Sequence, residues 1–281
     1  MTRAIVALLM LAVLCACDST QPQTQTQTQT QTQTHTRMQP QHAESAAPAA
    51  TKQPVDFSLP FDHYRFSRAE QALIQSALDR ETARCLKRQG IPAPPAKPLP
   101  PAEISGNARR YGLIDPSAAQ QYGYHLSSDP KATQGSADQR VSDCEDRASQ
   151  QLLHGVPKVD RTWLDRLNFS SADRSAIVPG VQRVTADWSR CMRTAGLRYS
   201  TPLAAMSDPR WGLDAPEISP DEIAVATADV RCKIRVHLVS IRAAAETKIE
   251  NASIAAEPAR FADIARANQQ IVAAARRMPA S

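Results

Sequence analysis

An all-α fold is predicted by three observations. Several stretches carry apolar side chains at helical spacing behind N-terminal capping residues. None alternates apolar and polar residues as a half-buried strand does, and glycine or proline closes the apolar stripes at their ends. Residues 57–281 are one stretch of roughly domain size.

The first helix starts at Ser67, which forms a capping box with Glu70. Leu73, Ile74, Ala77, Leu78 and Leu86 follow at helical spacing, and Gly90 and Pro92 end the element. A second helix is expected from Ser136, with Gln139 as capping partner, past Val141 and Cys144 to Leu153, closed by Gly155. A third carries Val181, Val184, Trp188, Cys191 and Ala195 on one stripe and stops at Gly196. The fourth begins at Ser219-Pro220-Asp221-Glu222: an N-cap, proline at the first helical position, and acids that favour the positive end of the helix dipole. Its stripe runs unbroken through Ile223, Ala226, Val230, Ile234, His237, Ile241 and Ala245, which predicts one long helix with His237 packed in the core. Pro258 interrupts it, and a last helix carries Phe261, Ile264, Ile271 and Val272.

Two stretches of the body, about 67–154 and 180–257, share an order of landmarks. Cys85 is followed by Gly90, a proline-rich loop, Arg110-Tyr111-Gly112-Leu113 and a helix with Cys144. Cys191 is followed by Gly196, a loop with Arg210-Trp211-Gly212-Leu213 and a helix with Cys232. An acidic residue, Glu81 or Asp187, stands four places before each leading cysteine. Four body cysteines permit three pairings, and loop entropy does not choose, since each is worth about 4 kcal/mol. The repeat favours Cys85 with Cys144 and Cys191 with Cys232, as structural disulfides of an oxidising compartment. A redox or zinc site is disfavoured, because there is neither a C-x-x-C pair nor a cysteine–histidine cluster at zinc spacing.

The N-terminus is built like an export signal: Arg3, then an apolar run from Ala4 to Leu14 that is too short to span a bilayer. Leu14-Cys15-Ala16-Cys17 resembles the lipobox of bacterial lipoproteins. The resemblance implies a signal peptide over 1–16 and acylation of Cys17 with a diacylglyceryl group, a durable membrane anchor. Residues 17–56 begin with Gln-Thr alternation and have almost no apolar side chains, so a disordered tether is expected. It would reach about 35 Å on average and roughly 125 Å fully extended.

Chemical signatures are sparse. H-E-x-x-H, G-x-S-x-G and P-loop patterns do not occur. Ser128 and Lys131 match S-x-x-K, but Pro130 interrupts the motif and its companion elements are missing, so it reads as chance. Glu145 and Asp146 are the candidate acids of an envelope hydrolase, although a solvated helix face beside Arg140 and Arg147 is their ordinary explanation. Tyr111, Tyr122, Tyr124, Trp163 and Trp211 could line a groove for sugar or peptide; most stand beside loop glycines, which points to pinning loops onto the core. The formal charge of +5 is spread among 33 basic and 28 acidic residues, which argues against nucleic acid as a partner.

Trp188-Ser189-Arg190-Cys191-Met192 with Gly196, then Ala228-Asp229-Val230-Arg231-Cys232, then Glu250-Asn251 resemble a group of uncharacterised secreted or lipid-anchored helical proteins, mainly actinobacterial. That resemblance implies an extracytoplasmic helical body and no particular reaction. Together these readings predict a module held to a bacterial membrane by lipid on Cys17, with an envelope protein or wall polymer as its partner. No cofactor and no metal are expected.

Overall fold

The computed structural model describes residues 57–96, 99, 106–126, 138–214 and 216–279. All lie in a compact unit spanning residues 50–281. Among the described residues there are nine α-helices, and the β-structure is one isolated bridge between Arg110 and Gly112. The fold is all-α. The helices are α1 (Arg68–Arg88), α2 (Pro116–Tyr122), α3 (Gln139–Leu152), α4 (Arg161–Ala176), α5 (Pro179–Thr194), α6 (Pro202–Met206), α7 (Pro220–Arg235), α8 (Leu238–Ala256) and α9 (Pro258–Arg277).

Their starts follow local chemistry. The Ser67 hydroxyl accepts from Glu70 N, and the Glu70 carboxylate accepts from Ser67 N at 2.8 Å, the expected capping box of α1. Ser219 caps α7 by accepting from Glu222 N, with Pro220 at the first position. The second expected start is corrected: α3 begins at Gln139, capped by the Asp138 carboxylate on Arg140 N, whereas Ser136 lies outside the described residues. Asp is as good a cap as Ser, and its position sets the first turn.

The expected long helix is also corrected. α7 ends at Arg235 and α8 starts at Leu238, because His237 takes a left-handed conformation (φ 56°). His237 is exposed rather than packed in the core, and Ile241 is 39 % exposed. The apolar stripe continues through the break only if the axis stays straight, and here it turns. α4 is an element the apolar pattern does not reveal. Asp160 caps it through Trp163 N at 2.9 Å, and its buried positions are Leu164, Ser171 and Ser175.

α1 packs against α3 and α9, α4 against α8, and α5 against α7 and α8; the short α2 and α6 cover α7. The largest core cluster surrounds α5 and α7 and includes Trp188, Met192, Tyr124, Trp211 and Leu238. A second seam joins α1 to α9 through Ala77, Ile271 and Ala275. A third places Phe61, just ahead of α1, against Leu164, Phe261 and Ile264. No helix among the described residues is long and apolar enough to cross a membrane.

Around the leading cysteines the repeated landmarks have matching geometry. Glu81 pairs with Arg84 and Asp187 with Arg190, each pair just ahead of its cysteine. Past the cysteine, Ile91 N donates to Leu86 O at 3.0 Å and Leu197 N to Met192 O at 3.1 Å, closing both helices alike. Gly90 (φ 69°) and Gly196 (φ 77°) supply the left-handed residue that this closure needs.

Candidate functional site

The disulfides join Cys85 to Cys144 and Cys191 to Cys232, with Cα separations of 5.6 and 5.7 Å. Each ties two helices, α1 to α3 and α5 to α7. Cys17, the tether, Ser128 and Lys131 lie outside the described residues. Asp146 is exposed on α3 and Glu145 is half-buried beside it. Tyr111, Tyr124 and Trp211 are buried and pin their loops to the core. Trp163 is half-buried beneath the guanidinium of Arg260, 4.2 Å from its ring. His154 is exposed just past α3.

What sequence reasoning missed is a buried polar network. Asp229 and Lys233 stand one turn apart on α7, and Glu246 and Glu250 one turn apart on α8; none is more than 1 % exposed. Lys233 Nζ donates to Asp229 Oδ2 at 2.8 Å and to the Leu113 carbonyl at 2.7 Å. Asp229 also accepts from Trp188 Nε1 at 3.0 Å and from the Tyr124 hydroxyl at 3.2 Å. Lys233 thereby fastens the Arg-Tyr-Gly-Leu segment of the first unit to a helix of the second. Gly112 permits this approach: a Cβ there would stand 3.0 Å from Lys233 Nζ.

The same segment reaches α8. Arg110 pairs with Glu246, its Nε donating at 3.0 Å, and its other nitrogen donates to Asn168 O at 2.8 Å. The Tyr111 hydroxyl donates to Glu246 Oε2 at 2.7 Å. Ser171 of α4 lies between the two acids, 2.9 Å from Glu246 Oε1 and 3.1 Å from Glu250 Oε1. Glu250 Oε2 accepts from Phe61 N at 2.8 Å, which locks segment 57–66, with its 3-10 turn Pro60–Tyr64, onto α8. Arg242 covers the Tyr111 ring at 4.7 Å. Near the start of α7, Glu222 Oε1 accepts from Tyr124 N at 2.7 Å and meets His125 Nδ1 at 2.9 Å.

Burial dominates the electrostatics. It pushes the Asp229 carboxyl up against the pull of Lys233, Trp188 and Tyr124, and it pulls Lys233 down against the pull of Asp229. Burial raises Glu250, opposed by the Phe61 and Ser171 hydrogen bonds. Burial, then Asp229, holds the Tyr124 phenol far above its ordinary value; burial, then Glu246, does so for Tyr111. For Arg110, burial opposes the charge, but the bond to Glu246 and the charges of Glu246 and Glu250 outweigh it.

Asp229, Lys233, Glu246 and Glu250 are sealed from solvent and hydrogen-bonded to their surroundings, so their chemistry is that of a clasp between elements. Glu222 Oε2, by contrast, is buried with no hydrogen-bond partner among the described residues. Open clefts lie elsewhere. One of about 390 Å³ is lined by Phe57, Ser58, Asp62, Gly106 and Asn107, and one of about 480 Å³ includes Gln89, Ile91, Pro92, Arg140 and Val141. Among the described residues no group of three or more His, Cys, Asp or Glu side chains is placed to hold a metal ion. The residues that carry the sequence resemblance include Trp188, Cys191, Asp229, Cys232 and Glu250, all members of the staple or the clasp. Set against protein-family models, curated proteins and solved structures, the chain matches none of them.

Proposed function

We propose that the chain is a lipid-anchored, extracytoplasmic helical module that works by binding a partner in the cell envelope. The observation that carries this reading is the pairing of all four body cysteines into two helix-to-helix disulfides. Such bridges persist in oxidising compartments. The lipobox-like Leu14-Cys15-Ala16-Cys17 supports attachment through acylated Cys17. Two observations favour binding over hydrolysis. Asp146 stands exposed on α3, and the acids Glu246 and Glu250 are sealed beneath Arg110, Tyr111 and segment 57–66.

Cell fractionation tests the anchor. The native chain should partition with membranes and lose that partition on Cys17→Ser substitution; retention of the variant counts against acylation there. Crosslinking in intact envelopes, followed by mass spectrometry, should recover a reproducible envelope protein or wall fragment. If neither is captured while purified protein cleaves wall polymer, the binding reading fails.

A further inference from the structure

The two disulfides are built alike but placed differently. Cys191–Cys232 is embedded in the main core with Trp188, Met192, Val230 and Leu238. Cys85–Cys144 belongs to a small cluster with Leu86, Val141 and Ile91. Val141 and Ile91 also line the open cleft of about 480 Å³, and so does Gln89. Gln89 is exposed, yet its Nε2 donates to Cys144 Sγ at 3.3 Å and lies 3.7 Å from Cys85 Sγ. A flexible amide side chain therefore runs from the cleft to both sulfurs. Four residues after Cys191 the second unit has Ala195, which carries no such group.

We infer that Cys85–Cys144 is a thiol–disulfide exchange site, reached through this cleft by an external dithiol, with Gln89 receiving the leaving sulfur. The attacking thiolate forms a bond to Cys85 Sγ while the Cys85–Cys144 bond breaks. The electron pair departs on Cys144 Sγ, where the Gln89 N–H stabilises the developing thiolate. The second thiol of the dithiol then attacks the mixed disulfide and releases Cys85. The dithiol is oxidised by two electrons, the protein disulfide is reduced, and the two thiol protons end on Cys85 and Cys144. Cys85 and Cys144 are 3 % and 0 % exposed, against 8 % and 1 % for Cys191 and Cys232, so exposure does not set the bridges apart and the step requires Gln89 and the adjoining segment 91–94 to move aside. Reduction releases the start of α3 from α1, while Leu152 at its other end stays seated against the α1–α9 seam.

Differential alkylation tests this on the intact native chain. The protein is treated with dithiothreitol without denaturant, quenched with iodoacetamide at intervals, and mapped by peptide mass spectrometry. Cys85 and Cys144 should be labelled at least about tenfold faster than Cys191 and Cys232, because the small cluster around them can open locally beside the cleft and Gln89 stabilises the leaving sulfur, whereas the other bridge sits in the main core. That rate should stay flat across low, non-denaturing urea. Equal rates for the two bridges, or a steep urea dependence showing that opening requires global unfolding, overturns the site. Gln89→Met keeps the length of the side chain and removes its N–H. It should slow labelling of Cys85 and Cys144 about threefold or more and leave Cys191–Cys232 unchanged. An unchanged rate in that variant overturns the role given to Gln89.

Discussion

Lys233 brings a charge into the core, where Asp229 and the Leu113 carbonyl compensate it. Removing one member of a buried pair strands the other, at a cost of about 3–5 kcal/mol. Lys233→Ala should therefore lower unfolding stability by about that much, read by urea denaturation. The double variant Lys233→Met with Asp229→Leu should lose less than the sum of its single changes. A loss below about 1 kcal/mol for Lys233→Ala would mean that the clasp holds nothing. Glu250 sets a pH dependence. Because burial raises its folded-state pKa, the folded chain holds this proton more tightly than the unfolded chain. Its contribution is complete below the ordinary glutamate pKa and is lost as pH rises through the raised value. Stability of the native chain should decline with rising pH above the ordinary glutamate range. Asp229, raised for the same reason, adds in the same direction. Glu250→Gln keeps an acceptor for Phe61 N, so it should flatten the decline at a cost of about 1 kcal/mol. An equal slope in both proteins counts against the assignment. Asp229 and Glu250 stand in the sequence only as parts of the resemblance motifs, and nothing there marks them, Lys233 or Glu246 as buried, because acids and bases one turn apart on a helix ordinarily mark a solvated face.

The break between α7 and α8 depends on a left-handed residue that is not glycine. His237 carries φ 56°, a conformation that β-branched side chains almost never adopt. His237→Val should cost about 1–2 kcal/mol, whereas His237→Gly should cost nothing or stabilise slightly; thermal melts of the two variants check this. Equal melting temperatures would show that the turn is set elsewhere. Helix starts at Ser67 and Ser219 are legible from capping chemistry, which acts within one turn and needs no tertiary partner. α4 is not legible, because its buried face uses Ser171 and Ser175, chosen for the carboxylates and the Arg242 guanidinium they meet rather than for apolarity.

At the scale of the molecule, two staples and one clasp divide the work. The bridges close separations of 59 and 41 residues, so loop entropy makes them nearly equal, at about 4 kcal/mol each. Packing should separate them. Replacing Cys191 and Cys232 together with Ser should lower the melting temperature more than replacing Cys85 and Cys144, because the former pair sits in the main core. The reverse order would contradict the placement of that core. The shared order of landmarks favoured Cys85–Cys144 and Cys191–Cys232 among three pairings, and the structure has those bridges. The repeat did not reveal that its two loops serve different ends. Arg110 turns inward to Glu246, while Arg210 stays outside on Asp208 and stacks over Trp211 at 4.9 Å. By itself the sequence determined the all-α class and the capped starts at Ser67 and Ser219, and it favoured one of three disulfide pairings, because capping, glycine stops and repeat order are local or one-dimensional signals. Only the tertiary structure decided that Asp229, Lys233, Glu246 and Glu250 lie inside, and that the chain turns at His237. Whether a charge faces water or a partner depends on what another element brings to it, and Leu113, Ser171 and Phe61 arrive from far along the chain.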